Sequence, residues 1–513
     1  MKPFVLVAVL LLQQVMGDAS TQLITQASNQ FGNKLYEKLA QKPNNVLVCP
    51  VSLHVALSLL HQGAGGSTAT ELASVLNLAT ASNAAIKESY RAVLQGIQDD
   101  VLTIANKLYP AAGFQLSPAY LNVAREYYFS DVEGLDYTEP IEAANTINKF
   151  VAEKTNNKIR ELITPDTITA STRLIIVNAV HFQATWRSTF TVTYEDYFRV
   201  TPTNRVKTTL MSQTSYFDYS DNRDLEAKVL KMDYTERGYS MVFILPHKED
   251  GLAAVEAKLA NTTLESILKK MVEVRVEVTI PKFKIEQTIE LKDVLTQMGL
   301  RKVFSSRANL QGVANGDNLY VSDVIQKTFI NVHENGTEAA AATVFIETLS
   351  ADPDLAIFYA TRPFHYYLIS RLPTTLVLFE GRFVQPVEHT PSEPPVSSQD
   401  HFVFTDEPSD HNRPRKSQQP NVGNKPPVTA APQPGRQQYD RWQQQHQQQQ
   451  QNQQRPEYQI QNQNYNTQSF QTQDPIQNGY TPNFGQVGPP TQPRYPQAVA
   501  QPLPQRPTDD RWS

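Results

Sequence analysis

One stretch of the chain passes from small and polar residues to strand-forming residues, and it bears on the whole fold. It reads Glu334-Asn335-Gly336-Thr337-Glu338-Ala339-Ala340-Ala341-Ala342-Thr343-Val344-Phe345-Ile346. Gly336 permits a backbone conformation that a residue with a Cβ resists, and the small residues run into strand formers. If the stretch is extended, its alternate side chains share one narrow face. It can then lie exposed as a loop and can also join a sheet; the alternative is an Ala-rich surface helix or linker.

Other motifs follow one another along the chain in a recognisable order. They are Cys49-Pro50 between a short strand and a buried helix, Thr155-Asn156-Asn157-Lys158-Ile159 after an amphipathic helix, Ile280-Pro281-Lys282-Phe283 in a strand, and Gly381-Arg382-Phe383-Val384-Gln385-Pro386 near the end of the ordered pattern. With these motifs, residues 21–388 resemble the serpins, protease inhibitors whose cleaved reactive loop inserts into the central sheet. Glu334, Gly336, Thr337, Glu338 and the alanine run match the inhibitory members.

The resemblance implies an α+β fold, the serpin fold, with helices around a large central β-sheet, further smaller sheets and an exposed reactive loop. Apolar periodicity predicts helices and strands that agree with this order. The predicted helices include residues 21–39, 51–61, 68–78, 82–96, 141–154 and 252–270, and the predicted strands include residues 101–109, 172–182, 225–232, 239–245, 273–285 and 318–331. Thr68 and Glu71 have capping-box spacing for the third helix.

Within the opening stretch, the resemblance implies a hinge that moves into the sheet after cleavage. The hinge residues are Glu334, Gly336, Thr337, Glu338, Ala339, Ala340, Ala341, Ala342 and Thr343. Counting the family's usual hinge length from Gly336 places the reactive bond at Ser350–Ala351, with Leu349–Ser350 as the nearest alternative. Ser350 suits an elastase-like target and Leu349 a chymotrypsin-like one. Because neither Arg nor Lys lies near this bond, we do not expect a trypsin-like target.

The resemblance also assigns roles in the main sheet. Asn178 interrupts an apolar strand, where an amide must find hydrogen bonds or cost stability. Asn178, Ser52 and Gln326 correspond to the shutter, which joins the two strands that part. Gln326 can bond to Asn178 but does not titrate, unlike the histidine that many serpins carry there. Trp186 corresponds to the breach tryptophan where insertion begins, and Lys282 is expected to pair with Glu334.

Composition limits the environment and the partners. The net charge is −5, so nucleic acid is not an expected partner. The single cysteine, Cys49, cannot form a disulfide within the chain. Residues 1–17 are typical of a signal peptide, which predicts a secreted, extracellular protein with its serpin domain at residues 18–388. No second segment is apolar enough to span a membrane, and we expect a monomer.

Two sequons and the end of the chain raise further hypotheses. Asn261 and Asn335 both begin glycosylation sequons; we expect low occupancy at Asn335, because a glycan in the hinge would hinder insertion. Glu347 would be costly if it had to face inward. Residues 389–513 are rich in Gln and Pro and are predicted to be disordered. Their glutamines are either transglutaminase acceptors or part of an unselected solvated tail.

No catalytic, metal or cofactor constellation stands out among the ten histidines and the one cysteine. The helix that binds heparin in some serpins carries only Lys87 and Arg91 here, beside Glu88, so heparin activation is not expected. The leading hypothesis is therefore a secreted inhibitor that acts on an extracellular serine protease as a suicide substrate. The alternatives are a non-inhibitory carrier or matrix protein cross-linked through its Gln-rich tail, and inhibition of cysteine proteases by the same loop.

Overall fold

A computed structural model describes residues 2–97, 101–236, 238–316, 318–337, 355–371 and 374–386, with the backbone alone for residues 2–20. Helices lie around two large sheets, so the expected α+β class is confirmed. The helices are α1 (Lys2–Leu39), α2 (Pro50–Gln62), α3 (Gly66–Val75), α4 (Asn83–Ile97), α5 (Pro118–Tyr128), α6 (Pro140–Lys154), α7 (Leu252–Leu259), α8 (Leu264–Leu268) and α9 (Lys292–Met298).

The strands differ greatly in length, from 2 to 19 residues. They are β1 (Val46–Val48), β2 (Leu102–Pro110), β3 (Gln115–Leu116), β4 (Asp131–Val132), β5 (Leu174–Phe182), β6 (Ala184–Thr185), β7 (Val192–Thr201), β8 (Asn204–Asn222), β9 (Ala227–Asp233), β10 (Tyr239–Pro246), β11 (Val272–Pro281), β12 (Phe283–Glu290), β13 (Ala314–Asn315), β14 (Asp323–His333), β15 (Gly336–Thr337), β16 (Ala356–Tyr359), β17 (Phe364–Ser370) and β18 (Leu376–Phe383).

The main sheet has the strand order β4-β2-β5-β14-β15-β6, and β12 pairs with the other edge of β14. All nine residues of β5 are buried, as expected of a central strand covered on both faces. Helix α2 packs against β2 and β5, and its residues from Pro50 to His61 are buried. The sheet therefore lies over an apolar helix that can carry side chains to its underside.

The second sheet has the order β1-β18-β17-β10-β9-β8-β11-β16, with β7 paired to β8. Strand β16 lies at its edge and runs parallel to β11. A small third sheet pairs β3 with β13. Strand β16 follows residues 338–354 and β15 precedes them, so the described ends of this segment belong to different sheets.

Three predicted elements are divided or clearly shortened in the structure. The predicted helix 252–270 is two helices, because Thr263 caps α8 by accepting from Ser266 N at 3.4 Å. The predicted strand 273–285 divides at Lys282 into β11 of the second sheet and β12 of the main sheet. The strand predicted at 318–331 begins only at Asp323.

The predicted capping box of α3 is wrong. The helix begins earlier, at Gly66. Thr68 Oγ1 accepts a hydrogen bond from Asn309 N at 3.0 Å, and Glu71 Oε2 accepts from Arg301 N and Lys302 N at 2.9 and 2.8 Å. Both side chains thus bind a distant loop, where unpaired backbone N–H groups need acceptors.

The amino-terminal helix includes the backbone of residues 2–17, the segment predicted to be a signal peptide. Secretion remains a prediction. Within the part of the chain that the structure describes, no helix combines the length and apolarity needed to cross a bilayer.

Candidate functional site

The main sheet is split at one end by the beginning of the hinge. Along most of its length β14 pairs directly and in parallel with β5, from Asp323 opposite Ile175 to Phe329 opposite His181. Beyond this ladder the chain turns back, and β15 lies between β14 and β6, antiparallel to both. A strand continuing from β15 would have to replace the β5–β14 ladder. The split therefore marks a path into the sheet.

Gly336 is required at the mouth of this split. Its φ of +149° lies in a region that side chains rarely adopt. A Cβ at this position would lie 2.2 Å from Ala184 O and 2.7 Å from Thr185 Cα. These neighbours are backbone atoms of β6, so they cannot move aside as a side chain can. Glycine allows the turn and the close approach of β15 to β6.

Thr337 fixes the hinge against an aromatic cluster. Its side chain is fully buried, and its Oγ1 lies 2.9 Å from the hydroxyl of Tyr234 in a hydrogen bond. The Tyr234 ring stacks on Trp186 with 4.3 Å between centroids. Stacking and burial make Tyr234 a rigid partner for the threonine. The intact chain thus holds the first residues of its hinge inside the sheet.

Trp186 also holds the turn between β14 and β15. Its indole Nε1 donates to His333 O at 3.0 Å, and its backbone N donates to Asn335 O at 3.0 Å. Phe190 N donates to Glu334 O at 2.9 Å. The residue predicted as the breach tryptophan therefore binds the backbone where the chain reverses. Its burial, with 1% of its surface exposed, shows that it is a core residue as well.

Lys282 and Glu334 lie together at the edge of the same turn. Lys282 Nζ is 2.8 Å from Glu334 Oε2, and each side chain is roughly one-third or more exposed, at 41% and 33%. Partial burial raises the pKa of Glu334, but Lys282, a backbone N–H and the His333 charge together leave the pKa below its ordinary value. The predicted pair is present in the geometry, on the surface beside the split.

We expect Lys282→Ala to change the free energy of unfolding by less than about 1 kcal/mol, because exposed ion pairs contribute little. It should instead speed the uptake of a synthetic peptide with the sequence of residues 338–349 several-fold, since the pair lies beside the path of insertion. Denaturant titration and native gels measure the two effects.

Lys258→Ala is the matched control, because Lys258 forms a comparable surface pair with Glu226 at 2.6 Å. Equal peptide uptake in the two variants, or a loss above about 2 kcal/mol in Lys282→Ala alone, would contradict a role in restricting insertion.

Asn178, on β5, connects the neighbouring strands β2 and β14 with helix α2 beneath the main sheet. Its Nδ2 donates to Ser52 Oγ on α2 and to Asn106 Oδ1 on β2. Asn106 Nδ2 in turn donates to Ser52 O at 3.1 Å. Asn178 Oδ1 accepts from Gln326 Nε2 at 2.6 Å. All four side chains are buried, so these bonds meet the requirement that buried polar groups be paired.

Gln326 lies opposite Asn178 in the β5–β14 ladder and also binds the start of α2. Its Nε2 donates to Cys49 O at 2.9 Å, and its Oε1 accepts from Cys49 N at 3.0 Å. Burial raises the pKa of the Cys49 thiol to about 12, so the thiol stays neutral. The bonds of Gln326 do not depend on its ionisation, since an amide does not titrate at ordinary pH.

Several predicted site residues lie outside the described residues. These are Glu338, Ala339, Ala340, Ala341, Ala342, Thr343, Leu349, Ser350 and Ala351. The two sequons fall within the described part. Asn261 is exposed at the end of α7, whereas Asn335 is partly buried and the third residue of its sequon, Thr337, is fully buried.

Sequence reasoning missed two residues that the structure brings into this site. Asn106 and Tyr234 bind Asn178 and Thr337, respectively. Asn106 had a signal, since it is a polar residue in the middle of a largely buried strand. Tyr234 had none, because it lies 103 positions from Thr337. In the part of the chain that the structure describes, no group of three His, Cys, Asp or Glu could hold a metal ion.

Comparisons with known proteins agree with this architecture. Residues 26–386 match the model of a family described as serpin (serine protease inhibitor). Serine protease inhibitor 42Dd of Drosophila melanogaster is 32% identical over 372 residues, which cover 71% of this chain and 98% of the relative.

Solved structures of two further relatives also align. Serpin48 of the insect Tenebrio molitor aligns with a TM-score of 0.65 and 30% identity, covering 71% of this chain and 98% of its own. Thyroxine-binding globulin in complex with thyroxine aligns with a TM-score of 0.65 and 27% identity, covering 71% and 100%. Since the family match spans the split sheet and most of the chain, this protein is a member of the serpin family.

Proposed function

We propose that this serpin inhibits an extracellular serine protease as a suicide substrate. The observation that carries the proposal is β15: the intact chain already has Gly336 and Thr337 between β14 and β6. Residues 338–354 link this strand to β16, which is anchored in the other large sheet. A cut within that segment separates the two anchors and frees the amino-terminal side to continue into the β5–β14 ladder. The protein itself contributes no catalysis.

The proposed reaction is the protease's own cleavage of a peptide bond, stopped at the acyl-enzyme intermediate. The protease serine attacks the carbonyl carbon of Ser350, and the peptide bond to Ala351 breaks. The Ala351 amine leaves with the proton that the protease base took from the serine, and an ester joins Ser350 to the enzyme. If the residues after Thr337 then enter the sheet, they carry the esterified protease away from the site of cleavage. Distortion of its active site blocks hydrolysis of the ester.

The local sequence supports an elastase-like or chymotrypsin-like target. Ser350 is small enough for a narrow specificity pocket, and Leu349 suits an apolar one. No basic residue lies next to either bond. Inhibition of a cysteine protease by the same loop is an outcome that the test below can detect.

The proposal also covers secretion, glycosylation and the response to heparin. Residues 1–17 support secretion, and exposure of Asn261 supports glycosylation at that site. Partial burial of Asn335 beside Thr337 supports low glycan occupancy at Asn335, because a glycan there would oppose the packing of β15 between β14 and β6. Lys87 and Arg91 are the only basic residues of α4, and Glu88 lies beside Lys87, which supports the expectation that heparin does not activate the protein.

The test is incubation of the full chain with pancreatic elastase and with chymotrypsin, followed by a denaturing gel. We expect a complex that survives denaturation, because an ester bond joins the two proteins. Mass spectrometry of the released carboxy-terminal peptide should find Ala351 as its first residue. Trypsin and a cathepsin serve as controls for the class of protease, and elastase with a blocked active-site serine controls for covalent attachment.

One observation favours a second function, that of a non-inhibitory carrier or matrix protein. The structural alignment includes a thyroxine-binding globulin in complex with thyroxine, so the fold binds a small ligand in at least one relative. Glu347 would also oppose insertion if it faced inward. Cleavage near Ser350 without a stable complex in any of the four reactions would replace inhibition with this second function. Cross-linking through the Gln-rich tail would then give the protein its location.

A further inference from the structure

A pocket of about 220 Å³ opens between α1, α7 and the strands β17 and β18, away from the hinge and the main sheet. Its outer wall is made largely of small side chains, Ala40, Ala253, Ala257 and Ala260. Its floor is polar and titratable. The floor residues are Tyr36, Glu256, His365, Tyr367, Glu380 and Arg382. We call this the α1–α7 pocket.

One carboxylate of the floor already has its counter-charge. Arg382 Nη1 donates to Glu256 Oε2 at 3.0 Å, and Tyr36 OH donates to Glu256 Oε1 at 2.5 Å. Burial raises the pKa of Glu256, but its polar neighbours, among them the Tyr36 hydroxyl and the Arg382 cation, leave it below its ordinary value. Arg382 also donates through Nε to the backbone carbonyl of Asn44, at 2.9 Å, and through Nη2 to that of Lys42. The Arg382 cation is thus already paired with Glu256 and does not serve as the counter-charge of a second carboxylate.

The second carboxylate has no such partner. Glu380 is 2% exposed, and its Oε2 has no hydrogen-bond partner within the described structure. Burial raises the pKa of Glu380 to about 8, and the nearby Glu256 charge adds to this effect. Tyr367 hydrogen-bonds the same carboxyl group and opposes the shift. In its ionised form Glu380 would leave the pocket one positive charge short.

His365 is the second residue of the floor whose buried polar atoms lack hydrogen-bond partners among the described residues. It is fully buried, and neither ring nitrogen has a hydrogen-bond partner in the described structure. The nearest carboxylate oxygens, of Glu256 and Glu380, lie 3.7 and 3.6 Å away, beyond a normal hydrogen bond. The rings of Tyr36 and Tyr367 flank the imidazole, with centroids 4.9 and 4.5 Å from it. Buried polar atoms left unpaired in this way mark a site that a ligand can complete.

We propose that the α1–α7 pocket binds a small organic ammonium, a primary amine on a short apolar body, with its charged group beside Glu380 and His365. The ammonium supplies the missing positive charge and donates to the unpaired Glu380 oxygen. Aromatic faces next to a carboxylate favour cations. Two carboxylates in the floor disfavour anions, and the alanine wall accommodates the apolar body. The volume is below the roughly 300 Å³ at which sites for drug-sized ligands begin, so a molecule of about ten heavy atoms fits.

The proposal predicts selectivity for charge among ligands of the same shape. Isothermal titration of the intact full-length protein with phenethylamine should show binding, whereas 2-phenylethanol and 3-phenylpropionate should bind at least about tenfold more weakly, as expected for loss of a charged hydrogen bond. Sodium chloride at matching ionic strength controls for screening. Equal affinity for the three ligands, or binding of none of them, would overturn the proposal.

Two variants locate the binding. Glu380→Gln keeps the shape of the side chain but removes its charge, and should weaken phenethylamine binding by about tenfold or more. Ala257→Leu fills the pocket from the helix surface and should remove binding. Glu273→Gln, an exposed carboxylate outside the pocket, should leave the affinity unchanged. Unchanged binding in Glu380→Gln would contradict the assignment.

The affinity should also depend on pH with a defined sign. Glu380 carries its proton below about pH 8 in the empty pocket and must lose it to pair with the ammonium. Glu37 at the rim, Glu256, Arg382, Tyr36, Tyr367 and His365 also face the pocket, and burial lowers the pKa of His365. Affinity should therefore rise roughly tenfold per pH unit from pH 6 and level off above pH 8, with proton release. A flat profile in the wild-type protein, or the same slope in Glu380→Gln, would overturn the proposal.

Discussion

On the proposed function, Gly336→Val should convert this serpin from an inhibitor into a substrate. The new Cβ would lie 2.2 Å from Ala184 O and would occupy a backbone conformation with φ of +149°. Because both neighbours in β6 are backbone atoms, β15 cannot remain where it is. The cleaved hinge then enters the sheet more slowly, while the protease hydrolyses its ester at the usual rate. Strain of this kind costs about 1–3 kcal/mol, and each 1.36 kcal/mol is tenfold in rate.

The measurement is the yield of denaturant-stable complex against the yield of cleaved protein, with the protease that the wild-type protein traps. We expect the yield of complex to fall by more than about tenfold. Gly113→Val is the matched control: Gly113 also has a positive φ, +102°, but a Cβ there would meet nothing within 4 Å. A normal yield of complex in Gly336→Val would show that the position of β15 does not govern insertion.

Asn178→Ala should destabilise the intact protein more than the loop-cleaved protein. The substitution leaves Gln326 Nε2 without its 2.6 Å acceptor and removes the donor to Ser52 and Asn106. Buried polar groups without partners cost about 1–3 kcal/mol each. After insertion, the new strand separates β5 from β14, so the Asn178–Gln326 bond is absent there in any case. We expect a loss of about 2–4 kcal/mol in the intact form and a smaller loss in the cleaved form.

A double-mutant cycle isolates the bond that must break. Asn178→Ala, Gln326→Ala and the double variant are unfolded in both the intact and the cleaved states, and their coupling energies are compared. The coupling should be about 1 kcal/mol in the intact protein and near zero after cleavage. The same coupling in both states would mean that β5 and β14 remain paired across this bond, contrary to the proposed insertion.

The contacts that could be predicted were those fixed by motifs. Lys282 and Glu334 lie within 2.8 Å, and Asn178 bonds to Gln326 at 2.6 Å, as the resemblance implied. Asn178 is a polar amide within an apolar buried strand, so a partner had to exist there. The exposed Lys282–Glu334 pair was implied by the resemblance alone. The fold class followed from the same ordered motifs.

The docking of the hinge and the α1–α7 pocket could not be predicted from the sequence, because both depend on packing between residues far apart in the chain. The docking of Gly336 and Thr337 between β14 and β6 requires Tyr234 and Trp186, and neither is near the hinge in sequence. The α1–α7 pocket combines residues from Tyr36 to Arg382. The local signal was limited to the polar residues inside buried strands, His365, Glu380 and Arg382.

Element boundaries were missed where polar side chains make local bonds. Thr263 caps α8 and so ends the long helix that apolar periodicity predicted over residues 252–270. At Lys282 the chain passes from one sheet to the other, although its strand-forming composition is continuous. Periodicity reports which side of an element is buried, and it does not report to which sheet the element belongs.

The thermal unfolding of the cleaved protein tests the central claim most directly. The chain is cut within residues 338–354, purified with both fragments attached, and compared with the intact protein at the same scan rate. If about ten residues enter the sheet and each gains about 1 kcal/mol, the midpoint should rise by more than about 10 °C for a domain of this size. A midpoint that stays the same or falls would show that the hinge does not become a strand, and would contradict the account.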